Sequence, residues 1–156
     1  MLNINEKFLV GEKLLKIEVD KNQQHWLRLT TDKGVYSFFT EGDCCSETWF
    51  ADINGPSLVL NKKISAVEEL DLDKPDDERT RQQEDLAYSL KITTEGGILD
   101  IIYRNSSNGY YGGDIQLYSE DDNTTSWSYT SHNRKEELNK VEWEEIKEDW
   151  QATGNG

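Results

Sequence analysis

Between Lys13 and Asp20 the chain alternates, with Leu15, Ile17 and Val19 on one side and Lys16, Glu18 and Asp20 on the other. A period of two over that length predicts a strand with one dry face. Two more runs follow, Trp26 to Thr31 and Val35 to Thr40, separated by Asp32-Lys33-Gly34. Aromatic and β-branched residues around a Gly-containing turn predict a hairpin, so the chain opens with a three-stranded meander.

The alternation breaks from Asp43 to Gly55. Cys45, Trp49 and Ile53 recur at i, i+4 and i+8, the spacing of one helix face. Asp43 is a suitable N-cap and Asn54-Gly55-Pro56 a natural stop, which predicts a short helix after the third strand. Ser57 to Asp73 reads as extended, with Ile64 to Val67 its best part, and Lys74 to Asp85 as a charged, solvated loop. A second hairpin runs from Leu86 to Tyr103 around Glu95-Gly96-Gly97. Ile115 to Tyr118 predicts another strand after a turn region, and Trp127 to Tyr129 a last one.

At the C-terminus two patterns compete. Asn133 with Glu136 resembles a capping box, and Trp143, Ile146 and Trp150 then share a helical face. Val141-Glu142-Trp143 also alternates, but the helix is favoured. The expectation is an α+β chain, mostly β: an antiparallel sheet, or a partly open barrel or sandwich, of about seven or eight strands. One short helix follows the third strand and another closes the chain. Residues 1–150 form one domain and 151–156 a frayed tail.

Charge narrows the partners. Residues 1–78 hold 16 acids against 9 bases and residues 79–156 hold 15 against 8, which puts −7 in each half of a chain of net charge −14. A body this negative, with no basic stripe, argues against direct DNA or RNA binding and favours attraction to a basic protein surface. The sixteen aromatic residues (five Trp, seven Tyr, four Phe) supply the burial that so charged a sequence otherwise lacks. Met1 to Val10 has no apolar run behind a basic cluster, and no membrane-length apolar stretch occurs, so no membrane association is expected. The only cysteines, Cys44 and Cys45, are adjacent, which predicts free thiols and a reducing, cytoplasmic setting.

Two segments stand out. In Glu41-Gly42-Asp43-Cys44-Cys45-Ser46-Glu47-Thr48-Trp49 a helix N-terminus would present a thiol of lowered pKa. Cysteine is also among the most buried residue types, however. A nucleophilic thiol needs a base, and His25 and His132 sit in no catalytic signature. Adjacent cysteines cannot chelate one zinc, and the acidic loops lack calcium-loop spacing, so no metal, cofactor or catalytic residue is assigned.

The second segment, Arg104-Asn105-Ser106-Ser107-Asn108-Gly109-Tyr110-Tyr111-Gly112-Gly113, is rich in residues that tolerate positive φ and so reads as a shaped turn. It could simply join two strands with its tyrosines packed on the core. As a binding loop, Arg104 would fork onto a carboxylate or phosphate and Tyr110 and Tyr111 would stack. It ends in no Gly-Lys-Ser/Thr and is no phosphate loop. If the two segments meet, one surface holds Asp43, Cys44, Ser46, Arg104, Asn105, Asn108, Tyr110 and Tyr111.

Together, Gly42 to Ile53 and Arg104 to Gly113 resemble a family of small bacterial and phage-encoded domains of unknown function, over roughly residues 10 to 120. The resemblance implies a compact, mostly-β domain associated with phage or mobile elements, and it brings no assigned activity to carry over. The expected function is non-catalytic binding, in its concrete form a phage-type inhibitor that masks the basic groove of a host defence or nucleic-acid-handling protein. The alternatives are capture of a small anionic, nucleotide-like ligand at the Arg104 loop, and an assembly subunit. An enzyme working through carboxylates would have only chance pairs among 31 acids to draw on.

Overall fold

The computed structural model describes residues 7–22, 24–42, 46–72, 84–107, 113–118 and 134–152. They form a mostly-β chain with two short helices. The strands are β1 (Lys13–Asp20), β2 (Trp26–Thr31), β3 (Val35–Gly42), β4 (Ser46–Asn54), β5 (Lys62–Asp71), β6 (Glu84–Thr94), β7 (Gly97–Ser107), β8 (Gly113–Leu117), β9 (Trp143–Glu145) and β10 (Trp150–Gln151). Helix α1 (Pro56–Val59) lies between β4 and β5, and α2 (Arg134–Asn139) precedes β9. All pairings are antiparallel, in the order β10-β4-β7-β6-β5-β1-β2-β3-β8 with β9 on β1. The sheet is not closed into a barrel.

The sheet has two halves. One holds β1, β2, β3, β8 and β9; the other holds β4, β5, β6, β7 and β10. They join where Lys13 and Leu14 of β1 pair with Lys63 and Lys62 of β5. The inner side chains of both halves share one core, including Ile17, Leu27, Phe38, Ile115, Phe50, Ile92, Ile101 and Tyr103. The meander and second hairpin form as their alternation predicts, the latter turning through Glu95-Gly96 between Thr94 and Gly97. In β1 the register shifts between Leu14 and Lys16, so Leu14, Ile17 and Val19 are buried while Leu15 is 42% exposed.

Three expectations need correction. The helix over Asp43–Gly55 is not there: Ser46 to Asn54 is the strand β4, paired with β7 along its length. A bulge at Ala51, where Phe50 opposes Tyr103 and Asp52 opposes Ile102, breaks the alternation. It puts Trp49 and Ile53 on opposite faces, so their helical spacing is accidental. Asp43, Cys44 and Cys45 lie outside the described residues.

Second, Asn54-Gly55-Pro56 starts a helix rather than ending one. Gly55, at φ 96, is the N-cap of α1 and Pro56 its first turn. A Cβ on Gly55 would lie 2.3 Å from the Ile98 carbonyl oxygen, so the backbones pass too closely for any side chain. The extended reading of Ser57 to Asp73 therefore holds only from Lys62.

Third, the helical face of Trp143, Ile146 and Trp150 is not used. The helix stops at Asn139, and the following residues pair as β9 with β1 and β10 with β4, giving ten strands instead of seven or eight. Ile146, 3% exposed, is drawn into the core between them. Burying that one side chain while pairing two open edges outweighs the local helical pattern. Gln151, expected in a frayed tail, is paired with Asp52. The expected strand at Trp127–Tyr129 and most of the charged loop at Lys74–Asp85 fall outside the described residues.

Candidate functional site

The two unusual segments do meet. The first leaves β3 and enters β4, while the second leaves β7 and enters β8. On one side β3 pairs with β8, with Glu41 opposite Asp114 and Gly42 opposite Gly113. On the other, β4 pairs with β7, with Ser46 opposite Ser107, Thr48 opposite Asn105 and Trp49 opposite Arg104. The segments are thus the approaches to two neighbouring crossings between the halves of the sheet. Of the eight candidate residues, Arg104 and Asn105 are described in full and Ser46 by its backbone. Asp43, Cys44, Asn108, Tyr110 and Tyr111 lie outside the described residues.

Strand alternation separates Arg104 from Asn105. Tyr103 and Asn105 point inward, at 1% and 0% exposure, so Arg104 between them projects from the outer face. The two cannot line one pocket as expected. Asn105 Nδ2 donates to Thr48 Oγ1 at 2.9 Å, and Thr48 is itself 3% exposed. This buried amide–hydroxyl bond holds the two segments in register, a structural role. Beside it the Tyr103 hydroxyl donates to the Glu69 carboxylate, and the Tyr88 ring stacks on Tyr103 with centroids 5.1 Å apart. Nothing in the sequence marks that cluster, because Glu69 and Tyr103 are 34 residues apart.

The outer face of β4–β7–β6–β5 is a different surface. Trp49, Arg104 and Ala87 lie side by side across three strands, all half-buried. Next to them run Asp52, Ile102, Ser89 and Leu70, then Asp100, Lys91 and Glu68. Leu70, Leu72 and Ile98 are 39%, 37% and 40% exposed. Arg104 makes no hydrogen bond or ion pair among the described residues, and its Nε is buried without a partner. Where acids outnumber bases by 31 to 17, an arginine that meets no carboxylate is unusual. The sequence singled out Arg104, but Trp49 beside it emerges only from the β4–β7 register.

His25 is half-buried with Nδ1 3.0 Å from Thr40 Oγ1, and His132 lies outside the described residues. Among the described residues no three His, Cys, Asp or Glu side chains converge as metal ligands would, and no helix is long and apolar enough to cross a membrane.

No solved structure matches the chain. It is similar to an uncharacterised protein, L278, of Acanthamoeba polyphaga mimivirus, with 28% identity over 113 residues that span 70% of this chain and 89% of that protein. Residues 7–117, from the turn before β1 to the end of β8, match a family model described as a domain of unknown function, DUF7448. They contain both paired segments and the Trp49–Arg104 face, and on that match the chain belongs to the DUF7448 family.

Proposed function

We propose that the protein is a non-catalytic binding module that docks on a basic protein surface through the outer face of β4–β7–β6–β5. The observation that carries this reading is the half-buried Arg104 with no partner among the described residues, set beside Trp49 on the outer face. Arginine and tryptophan are the side chains that most often dominate protein interfaces, and Leu70, Leu72 and Ile102 supply apolar area around them. Asp52, Asp100 and Glu68 stand ready for basic groups, while Arg104 takes one carboxylate of the partner. The net charge of −14 steers the encounter over a longer range. In the sharper form, the partner is the basic groove of a nucleic-acid-handling or defence protein in the cytoplasm, and binding inhibits it.

A second reading, a small anionic ligand held by Arg104, rests on the unsatisfied Nε alone. Affinity capture from host lysate, at low salt and at ~0.5 M salt, separates the two because only long-range attraction is screened. Docking predicts a basic protein retained at low salt, lost at high salt, and retained less by Trp49→Ala and Arg104→Ala. Ligand binding predicts a small anion that co-purifies with the wild type, is insensitive to Trp49→Ala and is lost in Arg104→Ala. A captured partner indifferent to both substitutions would move the site off this face.

A further inference from the structure

The C-terminal segment completes the unpaired sides of two strands, one in each half of the sheet. Strand β1 has β2 on one side and a divided second side: Lys13 and Leu14 take β5, whereas Glu18, Val19 and Asp20 take β9. Strand β4 has β7 on one side, and on the other Asp52 and Ile53 take β10. Residues 143–152 therefore span the seam between the halves, pairing with one edge strand of each. Ile146 N donates to the Ile17 carbonyl at 2.8 Å, and Ala152 N to the Ala51 carbonyl at 2.8 Å. Asp149 Oδ1 accepts from Gly55 N at 2.9 Å. Ile146 is the one fully buried side chain of the segment, with Trp143 and Trp150 half-buried on either side.

The segment makes three register pairs on β1 and two on β4, adds the Arg28–Trp143 contact and Trp150 against the core, and buries one side chain, Ile146, completely. It also carries a fault, since Glu145 lies opposite Glu18 and like charges in register oppose pairing. Helix α2, which leads into it, has no buried residue. Both edges belong to the part of the chain that matches the family, residues 7–117, while the segment that fills them lies beyond it.

We infer that the β1–β4 seam is a strand-docking groove for an extended peptide with an isoleucine anchor between two tryptophans, and that this chain fills it in cis with residues 143–152. Because the segment belongs to the same chain, its docking is intramolecular, which disfavours a competing peptide in the intact protein. The groove shares Asp52 with the docking face through its backbone pairing with Gln151, and peptide exchange reads the groove rather than the Trp49–Arg104 pair.

The experiment uses the full chain with a protease site placed within residues 119–133. After cleavage, a labelled synthetic peptide of residues 134–152 is added, and exchange is followed by fluorescence anisotropy, with circular dichroism as the check on folding. The expected result is a nicked protein that stays folded, releases its own segment and takes up the labelled one. The same peptide with Ile146→Asp should bind at least about tenfold more weakly, because the anchor carries most of the contact. The uncut chain should take up the wild-type peptide at least about tenfold more weakly than the nicked one, because the tethered copy competes. A nicked protein that stays folded but takes up no peptide overturns the inference. So does one that unfolds on cleavage, since the segment is then part of the fold rather than its ligand.

Discussion

The two outer faces of the sheet are built from similar residues and end in different states. On the β1–β2–β3–β8 half, each arginine is engaged. Arg28 lies over the Trp143 ring at 4.2 Å with Nε 2.9 Å from Glu18. Arg134, from α2, lies over Phe39 at 4.3 Å and pairs with Glu137, which also accepts from Trp26 Nε1. The chain's own C-terminal segment supplies the ring, the guanidinium or the carboxylate that completes each contact. On the β4–β7–β6–β5 half, Trp49 and Arg104 are register neighbours with no such cover among the described residues. The first face shows how this sheet satisfies an arginine beside an aromatic ring when something packs over it. The second shows the same ingredients still waiting.

The largest effect should come from the cover itself. Ile146→Ala removes the buried anchor and should cost about 2–5 kcal/mol, read from denaturant midpoints. A cost below that range would mean that the seam closes without it. Next is the buried bond beneath both faces. Asn105→Ala removes the buried donor to the Thr48 hydroxyl and should cost about 1–3 kcal/mol, and the double variant with Thr48→Val should recover part of the loss.

The comparison itself is tested by two matched substitutions. Arg28→Met leaves Glu18, 7% exposed, without its closest cation, and should cost about 1 kcal/mol. Arg104→Met should change stability by less than about 0.5 kcal/mol, because it breaks no hydrogen bond or ion pair among the described residues. Equal costs for the two would erase the distinction between the faces.

The smallest effect lies away from both faces. Burial, and then the hydrogen bond to Glu12, push the Tyr36 phenol above its usual pKa near 10. The neutral phenol is favoured in the fold, so its contribution is complete below pH 10 and fades as the pH rises through the raised value. An absorbance titration should show late-ionising tyrosine absorbance, and Tyr36→Phe should reduce it by the share of one tyrosine.

Strand alternation, hairpin turns and charge are local or additive properties, and each was legible in the chain. The meander and the second hairpin fall where period-two runs and Gly-containing turns place them. Arg104 and Asn105 were also legible as notable residues, because a run of Asn, Ser and Gly beside an arginine is locally unusual. Their separation onto opposite faces follows from the strand continuing through Ser107, which a turn-rich composition disguises.

The rest depended on contacts distant in sequence. The bulge at Ala51 scrambles the parity of β4, so its residues imitate a helix until β7 supplies the register. Trp143, Ile146 and Trp150 have helical spacing, yet the open edges of β1 and β4 and one core position claim them as extended chain. The sequence by itself determined that this is an acidic, antiparallel, mostly-β protein with two unusual turn segments. Tertiary structure alone decided that those segments meet, that Arg104 lies on the outer face with no hydrogen-bond partner among the described residues, and that the C-terminus seals the seam. The physical reason is that side-chain period acts between neighbours, whereas edge pairing and burial compare residues from about fifty to more than a hundred positions apart.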